Sequence, residues 1–139
     1  MEIFGIGTDI IEIDRFQKKG EPPSERFMAR CYTEREIMYL KGKRLESIAG
    51  YFAAKEAVAK ALGTGFSGFM PNAIEIIRNK AGKPEVVLHD GAARIAKEAK
   101  ITHIDVSISH CETYATGMAI AQRGPRCIDC EYASNNSKI

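Results

Sequence analysis

The chain has 139 residues, 45% of them hydrophobic and 27% charged, with a formal net charge of +2 at neutral pH. That length gives a single domain able to bury roughly 70% of its unfolded surface, and so balanced a charge gives no support to nucleic-acid binding. The apolar runs fall far short of the about 20 residues that cross a bilayer, and the N-terminal stretch lacks the basic start and apolar core of a signal peptide, so a cytoplasmic protein without membrane contact is expected.

Residues 3–13, I-F-G-I-G-T-D-I-I-E-I, form an almost continuous apolar run, the pattern of a strand covered on both faces. Asp9 interrupts it. A carboxylate there costs several kcal/mol unless it is hydrogen-bonded, paired or bound to a cation. Capping of the next turn, a buried lysine partner and a metal all satisfy that demand. Gly5 and Gly7 precede it, and glycine within a strand marks a bulge or the close approach of another group. Arg15, Lys18, Lys19, Arg26, Arg30 and Arg35 then cluster in one stretch. Such a run is either a solvated face or a docking surface for an acidic partner. After Pro22 and Pro23 come short helices, one opening at Thr33 with Glu36 three residues on, the spacing of a capping box.

A helix is expected over 45–62, carrying F-A-A-K-E-A-V-A-K-A-L and breaking at Gly63-Thr64-Gly65. Residues four apart share a helix face, so Phe52, Glu56 and Lys60 form one row. Ala49, Ala53, Ala54, Ala57 and Ala61 leave little bulk elsewhere, which lets the helix approach a sheet closely and holds the charged pair near backbone. On a solvated face the same pair would be an ordinary ion pair contributing about 0.3 kcal/mol. Two carboxylates with a lysine nearby suit a hard cation such as magnesium that keeps several waters and binds substrate phosphates; zinc would prefer sulfur or nitrogen. Gly63 fits a plain helix stop, and both glycines can take positive φ and let backbone approach a ligand.

Strands follow at 73–79 and 84–89, joined as a hairpin through N-K-A-G-K. Asp90 is expected to cap a helix running to about 99. Strands at 103–109 and 114–122 complete the sheet, the first alternating Ile104, Val106 and Ile108 with Asp105, Ser107 and Ser109 and ending at His110. Irregular alternation of strands and helices predicts an α+β fold, with helices on a mostly antiparallel sheet. There is no internal repeat. His89 and His103 read as structural. Of Cys31, Cys111, Cys127 and Cys130, the last two have C-x-x-C spacing, but no second such pair follows, and reduced thiols are expected. The polar tail is expected to be loosely attached.

The segments G-I-G-T-D-I-I-E-I-D-R-F, F-A-A-K-E-A-V-A-K-A-L-G-T-G, G-K-P at 82–84 and V-S-I-S-H at 106–110, in this order and spacing, resemble the single-repeat 4′-phosphopantetheinyl transferases, the holo-[acyl-carrier-protein] synthase family. The resemblance runs from about residue 3 to 122. It implies a transferase domain over 1–122, followed by an extension over 123–139. It also implies the activity: phosphopantetheine passes from coenzyme A to a serine of apo acyl carrier protein, releasing adenosine 3′,5′-bisphosphate, for fatty acid biosynthesis. Asp9, Glu56 and Lys60 match the catalytic positions, with Asp9 and Glu56 as the Mg2+ ligands. Lys60, Gly63, Gly65, Ser109 and His110 match the coenzyme A site, and Arg15 and Arg26 the surface that meets the acidic carrier. The base is either a metal-bound water oriented by Asp9 or Glu56, or one of these carboxylates directly. Homotrimers with the site between subunits are implied too. One position departs from the pattern: many relatives have arginine before F-A-A-K-E-A, and Tyr51 stands there, removing one cationic contact to a coenzyme A phosphate. Lys43 and Arg44 lie upstream. Two other readings are a non-catalytic coenzyme A-binding module of the same fold and a magnesium-dependent phosphohydrolase needing no carrier.

Overall fold

The computed structural model describes residues 1–124. All but the first two positions of the expected extension, with Cys127 and Cys130, lie outside the described residues. Strand β1 (Glu2–Glu12) leads through a 3-10 turn (Ile13–Phe16) to helices α1 (Glu25–Cys31) and α2 (Glu34–Leu40), then to the long helix α3 (Leu45–Ala61). Strands β2 (Ile74–Arg78) and β3 (Pro84–Leu88), helix α4 (Asp90–Glu98), and strands β4 (Ile101–His110) and β5 (Tyr114–Arg123) follow. The architecture is α+β and wholly antiparallel among the described strands: a three-stranded sheet in the order β1-β5-β4, and a separate β2-β3 hairpin. No described helix is long and apolar enough to cross a membrane.

The seam between α3 and the three-stranded sheet follows from small residues. Ala49, Ala53, Ala54, Ala57 and Ala61 are all buried, and glycines face them. A Cβ on Gly5, Gly7 or Gly117 would overlap the backbone carbonyl of Ala61, Ala57 or Ala53 respectively. Backbone therefore lies directly on backbone along the helix. Gly5 also closes a register shift that begins at Ile3, the bulge foreseen from the paired glycines. At the N-terminal end of α3, Gly50 lies under the Ile108 side chain of β4.

The ends of the helices are set locally. Thr33 Oγ1 accepts from the Glu36 amide at 3.2 Å and Glu36 Oε1 accepts from the Thr33 amide at 2.9 Å, completing the expected capping box. Ser24 caps α1 by accepting from the Phe27 amide. Gly63, at φ +86°, donates its amide to the Lys60 carbonyl and stops α3. The expected cap at Asp90 is not formed. His89 is the N-cap residue and Asp90 already lies inside the helix, at φ +49°. The chain is held there by tertiary contacts: His89 Nε2 lies 3.2 Å from Glu75 Oε1, and Gly91 is pressed against the backbone of Gly68.

β1 differs from its expected burial. Gly7 and Ile11 face α3 and are buried, but Ile3, Ile6 and Ile10 are exposed, beside exposed Met118 of β5. In the single chain only one face of this sheet is covered.

Candidate functional site

Asp9 lies on the α3 side of β1, opposite Gly117 in the register with β5. The glycine seam brings the helix so close that Glu56 and Lys60 stand beside Asp9. Lys60 Nζ donates to the Thr8 carbonyl at 2.9 Å and lies 3.3 Å from Asp9 Oδ1. Burial raises the Glu56 carboxyl above its ordinary range, Asp9 pushes it further in the same direction, and Lys60 opposes both. Like charge has thus been concentrated where it is costly. The predicted row of Phe52, Glu56 and Lys60 forms one wall of a cavity of about 880 Å³, and Asp9 joins it.

Two neighbouring carboxylates beside a single lysine fit a hard divalent cation. Among the described residues no group of three or more His, Cys, Asp or Glu is arranged to hold a metal. A cation bound by one or two carboxylates and completed by water and substrate phosphates needs no such group.

The opposite wall comes from the 3-10 turn and the loop to α1, with Arg15, Gln17, Lys18 and Glu21 at the rim and Phe16 and Phe27 beneath. Phe16 meets Phe52 edge-on at 5.5 Å between centroids and Phe27 at 6.0 Å. Such pairs add about 0.5–1.5 kcal/mol each beyond burial, and they fix the wall that carries Arg15. Arg26 lies on the exposed face of α1, outside the cavity lining.

The remaining predicted residues lie apart from this cavity. Gly63 and Gly65 are beyond the C-terminal end of α3, both with positive φ. Ser109 and His110 are exposed at the end of β4, just past the Ile108 that packs on Gly50 near the helix start. From Gly50 to Gly63 is about 20 Å at 1.5 Å per residue. One chain therefore assembles the carboxylates and Lys60, and does not bring the two glycines to Ser109 and His110.

Lys55, inside the K-E-A motif, was not foreseen as an anchor. Its ammonium is fully buried. It lies 2.6 Å from Glu36 Oε1 and donates to the carbonyls of Ile74 and, at 3.4 Å, Pro71. Glu36 Oε2 accepts from the Ile76 amide at 3.0 Å. Burial pulls the Lys55 ammonium below its ordinary range, with Glu36 opposing. Beside it, Glu75 accepts from Thr33 Oγ1 at 2.5 Å and faces His89 and Arg35. Burial pushes Glu75 up, but Thr33, His89 and Arg35 together outweigh it and hold the carboxyl low. α3 is thus seated on the sheet by glycines on one side and tied to α2 and β2 by Lys55 on another. One sequence signal existed: a lysine among Ala54, Ala57, Val58 and Ala59, on a helix apolar nearly all round, needs a buried partner.

His89 and His103 each face a carboxylate, His89 Nε2 lying 3.2 Å from Glu75 Oε1 and His103 Nε2 2.9 Å from Asp105 Oδ1. Cys31 and Cys111 are free thiols. Tyr51 is buried at 1% exposure. Its ring stacks on Tyr39 at 5.7 Å and 7° between planes, and the Arg78 guanidinium lies 5.6 Å from its centroid.

Residues 5–119 match the family model described as the 4′-phosphopantetheinyl transferase superfamily. The holo-[acyl-carrier-protein] synthase of Thermoanaerobacter sp. (strain X514) is 44% identical over 128 residues, covering 91% of each chain. That of Caldanaerobacter subterraneus subsp. tengcongensis is 48% identical over 126 residues, covering 89% of this chain and 98% of the relative. Among solved structures, Helicobacter pylori holo-[acyl-carrier-protein] synthase in complex with coenzyme A superposes with a TM-score of 0.74 at 30% identity, covering 84% of this chain and 99% of that one.

Proposed function

Because the chain belongs to the 4′-phosphopantetheinyl transferase superfamily, we infer that it transfers the 4′-phosphopantetheine arm of coenzyme A to a serine of apo acyl carrier protein. The products are holo carrier protein and adenosine 3′,5′-bisphosphate, and the process served is fatty acid biosynthesis. The enzyme is a holo-[acyl-carrier-protein] synthase working in the cytoplasm.

The observation that carries the mechanism is the meeting of Asp9, Glu56 and Lys60 at one wall of an open cavity. Asp9 and Glu56 would hold Mg2+, and the cation would supply charge to offset what develops on the diphosphate. Lys60, with half of its side chain exposed, reaches the phosphates and stabilises the departing bisphosphate. The serine proton leaves at the Asp9–Glu56 pair, taken either by a water these carboxylates orient or by one of them directly. Phe16, Phe27 and Phe52 line the same cavity and limit water around these groups. Arg15 at the rim and Arg26 on α1 attract the acidic carrier and orient its serine toward the carboxylates.

The working unit is a trimer with the site between neighbouring subunits. Two features support this. Gly63 and Gly65, which with Lys60 hold one part of coenzyme A, are about 20 Å along α3 from the end where Ser109 and His110 stand. The outer face of β1 and β5, with Ile3, Ile6, Ile10 and Met118, is apolar and uncovered in one chain.

Intact-mass spectrometry tests the assignment. Apo acyl carrier protein incubated with coenzyme A, Mg2+ and the enzyme gains one phosphopantetheine, and little is gained with Glu56→Gln. No adduct on any of several apo carriers would refute the transferase reading.

A further inference from the structure

The loop that walls the cavity opposite α3 contains a tight turn that fixes the place of one carboxylate. Glu21 donates its amide to the Lys18 carbonyl at 2.9 Å, and Lys18 donates its own to the Glu21 carbonyl at 3.3 Å. Lys19 at φ +53° and Gly20 at φ +76° supply the two left-handed residues that such a two-residue hairpin requires. Directly paired residues carry their side chains on one face, and Lys18 and Glu21 both line the cavity. Pro22 and Pro23 follow, their φ fixed by the rings, and Ser24 then caps α1. Glu21 is therefore anchored by the hairpin on one side and by the entry into α1 on the other.

The sign of its charge runs against its surroundings. Arg15 and Lys18 share the rim with it, and Arg26 and Arg30 stand four residues apart on one face of α1. All five side chains are exposed, and among the described residues none of them takes part in an ion pair. Even Lys18, directly opposite, leaves Glu21 unneutralised. An acidic carrier drawn to four cations thus meets one like charge at the mouth through which its serine reaches the carboxylate pair. A uniformly basic rim attracts an acidic segment in any register, whereas one fixed carboxylate makes the registers unequal. We propose that Glu21 is a specificity-determining residue for the carrier. It accepts a partner whose acidic surface is interrupted by a basic or hydrogen-bond-donating side chain beside the modified serine, and rejects one with a carboxylate at that place. This rests on the transferase reading above and on docking at the rim. Two exposed like charges about 4 Å apart repel enough to weaken binding about fivefold.

The test crosses residue 21 with the charge of the carrier. Apo acyl carrier protein is given glutamate, glutamine or lysine at each exposed position within one helical turn of its serine. KM and calorimetric Kd are measured with the parent enzyme, Glu21→Gln, Glu21→Lys and Glu25→Gln, the last altering an acidic residue outside the cavity lining. At one carrier position the parent disfavours glutamate relative to glutamine and favours lysine. That glutamate penalty falls about fivefold in Glu21→Gln, falls further in Glu21→Lys, and shrinks with added salt. The other positions, and Glu25→Gln at every position, change less than twofold. Absence of any position coupled to residue 21, or the same loss of discrimination in Glu25→Gln, overturns the proposal. Calorimetry needs no turnover, so a parent that binds carriers with this preference and modifies none would refute the transferase reading alone. A parent that modifies them without the preference overturns the proposal alone.

Discussion

Replacing Lys55 by methionine removes the ammonium and leaves Glu36 buried. The carboxylate keeps the Thr33 and Ile76 amides, but loses its only cation within 2.6 Å, and the Ile74 and Pro71 carbonyls lose a donor. Both members of the pair are fully shielded from solvent. Breaking such a pair from one side costs about 3–5 kcal/mol, because an uncompensated charge remains. At this chain length each kcal/mol shifts the melting temperature by roughly 4 °C, so Lys55→Met melts about 12–20 °C below the parent. Glu36→Met should be costly in turn, since it removes the capping box and the Ile76 acceptor as well. The double variant loses less than the sum, because neither charge is stranded, and a coupling of about 1–3 kcal/mol follows. Guanidinium denaturation followed by circular dichroism measures all four proteins. A single-variant loss below about 1 kcal/mol, or strictly additive losses, would refute the view that this pair fastens α3 to α2 and β2.

Gly7→Ala places a methyl group against the Ala57 carbonyl and costs about 3 kcal/mol, the upper end for overpacking; a variant with parental melting and turnover would show that the seam yields. Ile6→Glu puts a charge on the uncovered face of β1, and light scattering after gel filtration should find a folded monomer without transferase activity, whereas an intact trimer would move the interface elsewhere. Glu75→Gln destabilises by about 2 kcal/mol at pH 7, the range for a hydrogen-bonded charge. Because the folded carboxyl is held low, the parent's advantage is present above the ordinary carboxylate pKa and disappears as pH falls through the lower folded value. Denaturation curves across the acid range check this, and a difference unchanged by acidification would contradict it.

Much of the site was legible because it depends on local spacing. Four-residue intervals put Phe52, Glu56 and Lys60 on one cavity wall, and alanines against glycines foretold the close approach that delivers Asp9 to them. The capping box at Thr33 and Glu36 was readable for the same reason. What escaped the sequence depends on partners distant along the chain. Lys55 meets Glu36 across 19 residues and Thr33 meets Glu75 across 42, and no local pattern names either partner. The Asp90 cap failed because His89 and Gly91 are engaged with other segments. An isoleucine-rich run also does not say what covers it: β1 was read as buried on both faces, and one of them is uncovered in the single chain. The alignment of Tyr51 with Tyr39 and Arg78 is likewise a tertiary fact.

The glycine seam divides the enzyme into parts with different freedom to change. Where main chain rests on main chain, the spacing between strand and helix cannot be adjusted by choosing another rotamer or a slightly larger residue. The carboxylates inherit that fixed spacing from Gly7 and Gly117, not from their own side-chain packing. The rim around Arg15, Gln17 and Lys18 is built from a turn and a loop under no such constraint. With the carrier docked at the rim as proposed, divergence toward a different carrier can accumulate there while the carboxylates beneath keep their spacing.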